Sequence, residues 1–153
     1  MSRLAALLAG RVRLGVQAGG WEEAVRAAAD VLTAAGDVTA SYGDAMVRTV
    51  REIGPYIVVA PGVALPHARP EDGVVRTCVG MVRLARPVPF GNEANDPVDL
   101  VFPFGTRDHE EHIEMLAELA RFLSDPERVA RLREARTEEE VLAVLRRGAP
   151  AEG

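Results

Sequence analysis

Lysine is absent from this chain: every one of its 18 basic residues is arginine. Imine chemistry on a lysine amine and a nucleotide loop built around a phosphate-binding lysine are therefore excluded. Cysteine is nearly absent too. The single one, Cys78, offers no disulfide framework, and its place in a β-rich run predicts a small buried apolar residue. No uncharged apolar stretch approaches the ~18 residues that a membrane span needs. Residues 1–10 have only a short apolar patch with Arg11 and Arg13 directly behind it, and they read as a first helix, not a targeting signal. With the lone cysteine, this predicts a cytoplasmic protein without direct membrane insertion. The formal net charge is −5 and no segment gathers arginine without nearby glutamate, which argues against a nucleic-acid partner. Repeats, linkers and composition shifts are missing as well. A chain of 153 residues with 48% hydrophobic content then predicts one domain, 1–153, with a core of its own.

What is present alternates between helical and extended patterns. Residues 21–35 carry Ala24, Val25, Ala28, Val31, Leu32 and Ala35 at helical spacing, with Gly36 as the C′ residue. A second helix begins at Thr39 or Ser41, turns Ala45, Met46, Val50 and Ile53 inward, and stops at Gly54-Pro55. Strands are predicted over 11–15, 56–60, 74–84 and 98–104, with a turn-rich segment at Pro87-Val88-Pro89-Phe90-Gly91-Asn92. Three helices follow. Asp108 caps the first through its spacing to Glu111, Asp125-Pro126 opens the second, and Thr137 with Glu140 caps the third, which ends before Gly148 and leaves a frayed tail after Arg147. This order predicts an α/β class: a single-domain sandwich, a mixed β-sheet flanked by helices.

Two histidines stand out. His67 lies in Gly62-Val63-Ala64-Leu65-Pro66-His67-Ala68-Arg69-Pro70, a loop that follows the apolar run Ile57-Val58-Val59-Ala60. Pro66 and Pro70 stiffen the backbone on either side, so the ring is presented with little freedom to lose, which suits nucleophilic or proton-transfer work. His112 sits at the end of the first turn of the helix capped by Asp108, beside the docking face formed by Leu116, Leu119 and Leu123. His109 lies a turn earlier, on the solvent side. Three histidines with Asp108 and Glu111 invite a metal, yet there is no H-E-x-x-H motif, and the positive end of a helix opposes a cation. The same end favours an anion, so a loop histidine facing His112 points to phosphate. Without a Gly-rich nucleotide loop, that phosphate arrives on another molecule and is accepted by His67.

Several spaced motifs occur in order: Gly54-Pro55-Tyr56-Ile57-Val58-Val59-Ala60-Pro61-Gly62, Ala64-Leu65-Pro66-His67-Ala68-Arg69-Pro70-Glu71, Gly73-Val74, Val88-Pro89-Phe90-Gly91, Asn95-Asp96-Pro97-Val98 and Glu111-His112-Ile113. On these the chain, from Trp21 onward, resembles the enzyme IIA components of the sugar phosphotransferase system, in the mannitol/fructose class and most closely the ascorbate-type subgroup. The resemblance implies the mannitol-type enzyme IIA fold. It also implies a phosphocarrier: HPr donates a phosphoryl group to the A component, which passes it to an enzyme IIB serving a membrane enzyme IIC. His67 matches the phosphorylated histidine, and His112 the second active-site histidine, which supports the phosphoryl group or the ring geometry. Mannitol-type members also carry an arginine on the helix before the motif. The spacing here differs by two residues and leaves Arg48 and Arg51 as alternatives, neither assigned.

The implied chemistry needs no metal, cofactor or nucleotide, because transfer between histidines depends on positioning and charge stabilisation. Leu65, Pro66 and Ala68 are expected to offer a small apolar rim for transient docking. Two alternatives remain: a regulatory domain that senses phosphorylation without transport, and a metal-dependent hydrolase. The sugar is not legible beyond the ascorbate-type resemblance. Monomer and dimer are equally compatible with an apolar helix face.

Overall fold

The computed structural model describes residues 3–147. In chain order it contains α1 (Leu4–Leu8), β1 (Val12–Val16), α2 (Trp21–Ala34), α3 (Ala40–Ile53), β2 (Val58–Ala60) and β3 (Val63–Ala64). These are followed by β4 (Cys78–Val79), β5 (Met81–Val88), β6 (Val98–Val101), β7 (Phe104–Gly105), α4 (His109–Leu123), α5 (Pro126–Glu134) and α6 (Glu138–Arg147). Single 3-10 turns occupy Pro55–Ile57 and Pro70–Asp72. The stop expected at Gly148 and the tail beyond Arg147 lie outside the described residues.

Five strands form one sheet in the order β1-β5-β6-β3-β2. The pairs β1/β5 and β3/β6 are parallel, while β5/β6 and β2/β3 are antiparallel, so the sheet is mixed as the sequence predicts. Alternation along each strand feeds two cores. Ala64, Val82 and Val101 face a core shared with α2 and α3, whereas their neighbours Val63, Met81 and Leu100 face one shared with α1, α4, α5 and α6. The result is a sheet with helices on both faces.

Five details differ from the sequence expectations. The strand predicted over 56–60 begins only at Val58, because Pro55–Ile57 forms a 3-10 turn. The run 74–84 is not one strand: Cys78–Val79 pairs antiparallel with Phe104–Gly105 in a small second sheet, and only Met81–Val88 joins the main one. The run 98–104 breaks in the same way at Phe102-Pro103, and the Gly80 N–H donates to the Pro103 carbonyl over 2.9 Å, so the two breaks brace each other. Pro87 and Val88 belong to β5 and not to a turn. Ile53 is 53% exposed; the inward stripe of α3 ends at Val50, and the buried Ile57 of the following 3-10 turn joins that core instead.

The β2–β3 connection carries the chain to His67, and it needs glycine. Gly62 has φ +76°, where any side chain is strained, and a Cβ there would push aside the Arg133 guanidinium that pairs with Asp99. The Asn95-Asp96 segment braces the same edge. The Asp96 carboxylate accepts the N–H groups of Phe90, Gly91 and Asn92 at 2.8–2.9 Å, and the Asn95 side chain donates to the Val58 carbonyl over 3.3 Å. Across the molecule, the Asp37 side chain is fully buried and forms ion pairs with Arg11 and Arg76, while its backbone carbonyl accepts the Val75 and Arg76 N–H groups. Asp37 thereby anchors the segment that leads to Thr77 and the second sheet.

Candidate active site: two histidines around Phe104

His67 stands just past the end of β3. The Leu65 N–H donates to Ile57 O over 2.8 Å and the Phe104 N–H donates to Pro66 O over 3.2 Å, so the strand neighbours hold the approach to the histidine from both sides. The ring is half-buried and packs against Phe104, with centroids 4.8 Å apart. It is therefore both packed and presented. Its Nδ1 lies 2.7 Å from the Leu65 carbonyl oxygen. A carbonyl only accepts, so Nδ1 carries the ring proton and the lone pair is on Nε2.

His112 comes to this ring from the opposite side of the chain. Asp108 caps α4 as its spacing predicts, accepting the Glu111 N–H over 2.8 Å. The reciprocal bond is displaced: the Glu111 carboxylate takes the N–H of Arg107, one residue before the cap, and also the Thr77 hydroxyl. This ties the first turn of α4 to the segment held by Asp37. The His112 ring ends edge-on to His67 with centroids 4.9 Å apart, and Phe104 lies 5.4 Å from it. Met115, Leu119, Phe122 and Leu123 dock the helix, with Leu116 only partly buried.

Both imidazoles favour the neutral form. Burial pushes His67 below the ordinary imidazole range; the Nδ1 bond to Leu65 opposes this, and the neighbouring His112 adds to it. His112 is lowered by its own burial and then by His109. A place near the positive end of a helix favours the same neutral form, but burial is the leading cause. His109 is exposed. Among the described residues no group of three or more His, Cys, Asp or Glu side chains is gathered to hold a metal ion. Cys78 is buried and burial pushes its thiol up to about 12, which leaves it unreactive.

The family model described as "Phosphoenolpyruvate-dependent sugar phosphotransferase system, EIIA 2" matches residues 6–148. The chain belongs to that family. It is 40% identical over 137 residues to the ascorbate-specific PTS system EIIA component of Escherichia coli strain K12, covering 89% of each chain. The solution structure of the mannitol-specific cryptic phosphotransferase enzyme IIA CmtB from Escherichia coli superposes with a TM-score of 0.82 at 28% identity, over 95% of this chain and 99% of that one. The mannitol enzyme IIA of the same species, solved in complex with phosphorylated mannitol enzyme IIB, gives 0.80 at 30% identity over 90% and 95%. The sandwich expected from the resemblance is thus the EIIA fold.

Within this EIIA fold the two histidines picked from sequence adjoin, and other expectations are corrected. Leu65, Pro66 and Ala68 are buried and form no rim. Among the described residues the exposed large apolar side chains are Ile53, Tyr56, Val59, Val75 and Ile113, the last next to His112 in sequence. Arg51, one of the two arginines left unassigned, pairs with Glu22 on α2, with its guanidinium carbon 6.0 Å from the Trp21 ring centroid. Phe104, which touches both imidazoles, was not legible as a site residue because a phenylalanine in an apolar run reads as core. Its only signal is the Pro103 that interrupts the run just before it.

Proposed function

We propose that this chain is the phosphocarrier of an ascorbate-type sugar phosphotransferase system, working in the cytoplasm as a single domain over 1–153. Phospho-HPr delivers a phosphoryl group to Nε2 of His67, and the loaded protein passes it to a cognate enzyme IIB that serves a membrane enzyme IIC. The observation that carries this reading is the Nδ1 bond to Leu65, which leaves Nε2 as the only nucleophilic nitrogen of a half-buried neutral ring. In the step itself the P–N bond to the donor histidine breaks as the new bond to Nε2 forms. The His67 ring keeps its Nδ1 proton on the Leu65 carbonyl and becomes a phosphoimidazolium, while the donor ring, protonated on its other nitrogen, recovers its lone pair and leaves as a neutral imidazole. His112, edge-on to the same ring, steadies the phosphoryl oxygens and does not carry the group.

Incubation with phosphoenolpyruvate, enzyme I and HPr should give one acid-labile, base-stable phosphoryl group per chain, in the presence of EDTA as in its absence. Substituting His67→Ala should abolish it. Label that resists acid, or that persists in the variant, contradicts the assignment, and loss of label on chelation would revive a metal-dependent reading.

A further inference from the structure

Tyr42 is fully buried, and the transfer chemistry as described makes no use of it. Its hydroxyl oxygen lies 3.0 Å from the Ala68 amide nitrogen, 2.9 Å from the Phe104 carbonyl oxygen and 3.2 Å from the Ala68 carbonyl oxygen. An amide N–H only donates, so the hydroxyl accepts from Ala68 and gives its single proton to the nearer carbonyl, that of Phe104. The Phe104 N–H in turn donates to the Pro66 carbonyl. These bonds close a cycle: Pro66 to Phe104, Phe104 to Tyr42, Tyr42 to Ala68, with His67 the one residue between the two ends. The residue at the centre of the cycle is also the one whose ring packs on both imidazoles.

The surroundings are shaped to admit this hydroxyl. A Cβ at Gly105 would stand 3.3 Å from Tyr42 Oη and 3.0 Å from Val74 Cγ2, so any larger residue crowds the bond to Phe104. Burial pushes the phenol above its ordinary range, which keeps it a donor across the working pH of the protein.

We propose that Tyr42 is a positioning residue for phosphoryl transfer, its hydroxyl fixing the backbone on both sides of His67 and so setting the direction of Nε2. The inference rests on the phosphocarrier reading above. In-line transfer requires the attacking lone pair to be aimed along the breaking bond, and a small misplacement of an otherwise intact nucleophile slows it severely. A buried Ala68 N–H and Phe104 C=O left without the hydroxyl would seek other partners, and the loop would move with them.

The test is Tyr42→Phe, which keeps the ring and removes only the hydroxyl. The expected result is a kcat for uptake from phospho-HPr lowered about 10- to 100-fold, with KM for phospho-HPr unchanged and one group per chain still reached on His67 at long times. A purely structural tyrosine would lower the melting temperature and leave kcat at the wild-type value well below the melt; that result, or a rise in KM alone, overturns the proposal. Should the variant fail to fold, Gly105→Ala crowds the hydroxyl while keeping it, and a wild-type kcat in that variant, with the Ala68 amide proton resonance shifted from its wild-type position, overturns the proposal equally. Failure of the underlying reading looks different: the wild-type protein itself would then accept no phosphoryl group from phospho-HPr.

Discussion

A neutral imidazole is useful only if it remains neutral where the reaction runs. His67 and His112 are both held below the ordinary imidazole value by burial first of all, so protonation removes the nucleophile only at pH values under about 6.5. The same depression means that the folded protein binds fewer protons than the unfolded chain in this window. The stability these rings contribute is therefore complete above about 6.5 and lost as pH falls through the folded values. Half-reactions followed from pH 5 to 8 should show uptake at its plateau at neutral pH, with an acid limb below that point. In the same series His112→Ala should still load from phospho-HPr but pass the group to enzyme IIB about 10²- to 10³-fold more slowly, the typical cost of one charge-stabilising contact. His109→Ala, altering an exposed side chain, should transfer like the wild type. Onward transfer at the wild-type rate in His112→Ala, or a phosphopeptide carrying the label at His112, would reverse the two roles.

The elements differ in how much of them is legible before folding. Helices α2 and α4 announce themselves through apolar stripes, and the caps at Asp108, Asp125 and Thr137 follow from local spacing because each is satisfied within a single turn. Strand β3 is two residues long and sits inside a proline-rich stretch, so no periodicity marks it. The long runs around Val79 and Val101 look continuous because valine and other apolar residues recur along both. Their breaks at Gly80 and Pro103 arise from partners across the sheet, which a window along the chain does not contain. The site divides along the same line. His67 and His112 are read from prolines and a helix cap beside them, whereas Phe104 and Tyr42 look like ordinary core residues until the fold brings them against Pro66 and Ala68. Ile53 fails for the converse reason: it continues the helical period, but the chain leaves the core at Gly54.

At the scale of the whole molecule, the buried carboxylate of Asp37 joins the start of β1, the end of α2 and the segment before the second sheet. Burial alone would push it up, but the hydrogen bonds from Arg11 and Arg76 outweigh that and hold it below the ordinary carboxylate range. A depressed folded value gives stability that is present above about pH 4 and lost as pH falls through it. Asp37→Asn should cost about 3 kcal/mol at neutral pH, since it leaves the partly buried Arg11 without its partner. Denaturant titrations should show this gap to wild type closing in acid, and a gap independent of pH would contradict the ion-pair account. The bonds that hold Pro66 and Ala68 in place have a consequence for traffic between partners. A loop fixed on both sides of His67 should keep its shape when it is loaded, so the loaded and empty proteins are expected to differ chiefly by the charge of the phosphoryl group, about two negative charges. Donor and acceptor must then sort full carriers from empty ones by Coulomb forces alone. Raising the salt concentration should make the affinities of enzyme IIB for the two forms converge, and a difference that salt leaves untouched would reveal a change of shape after all.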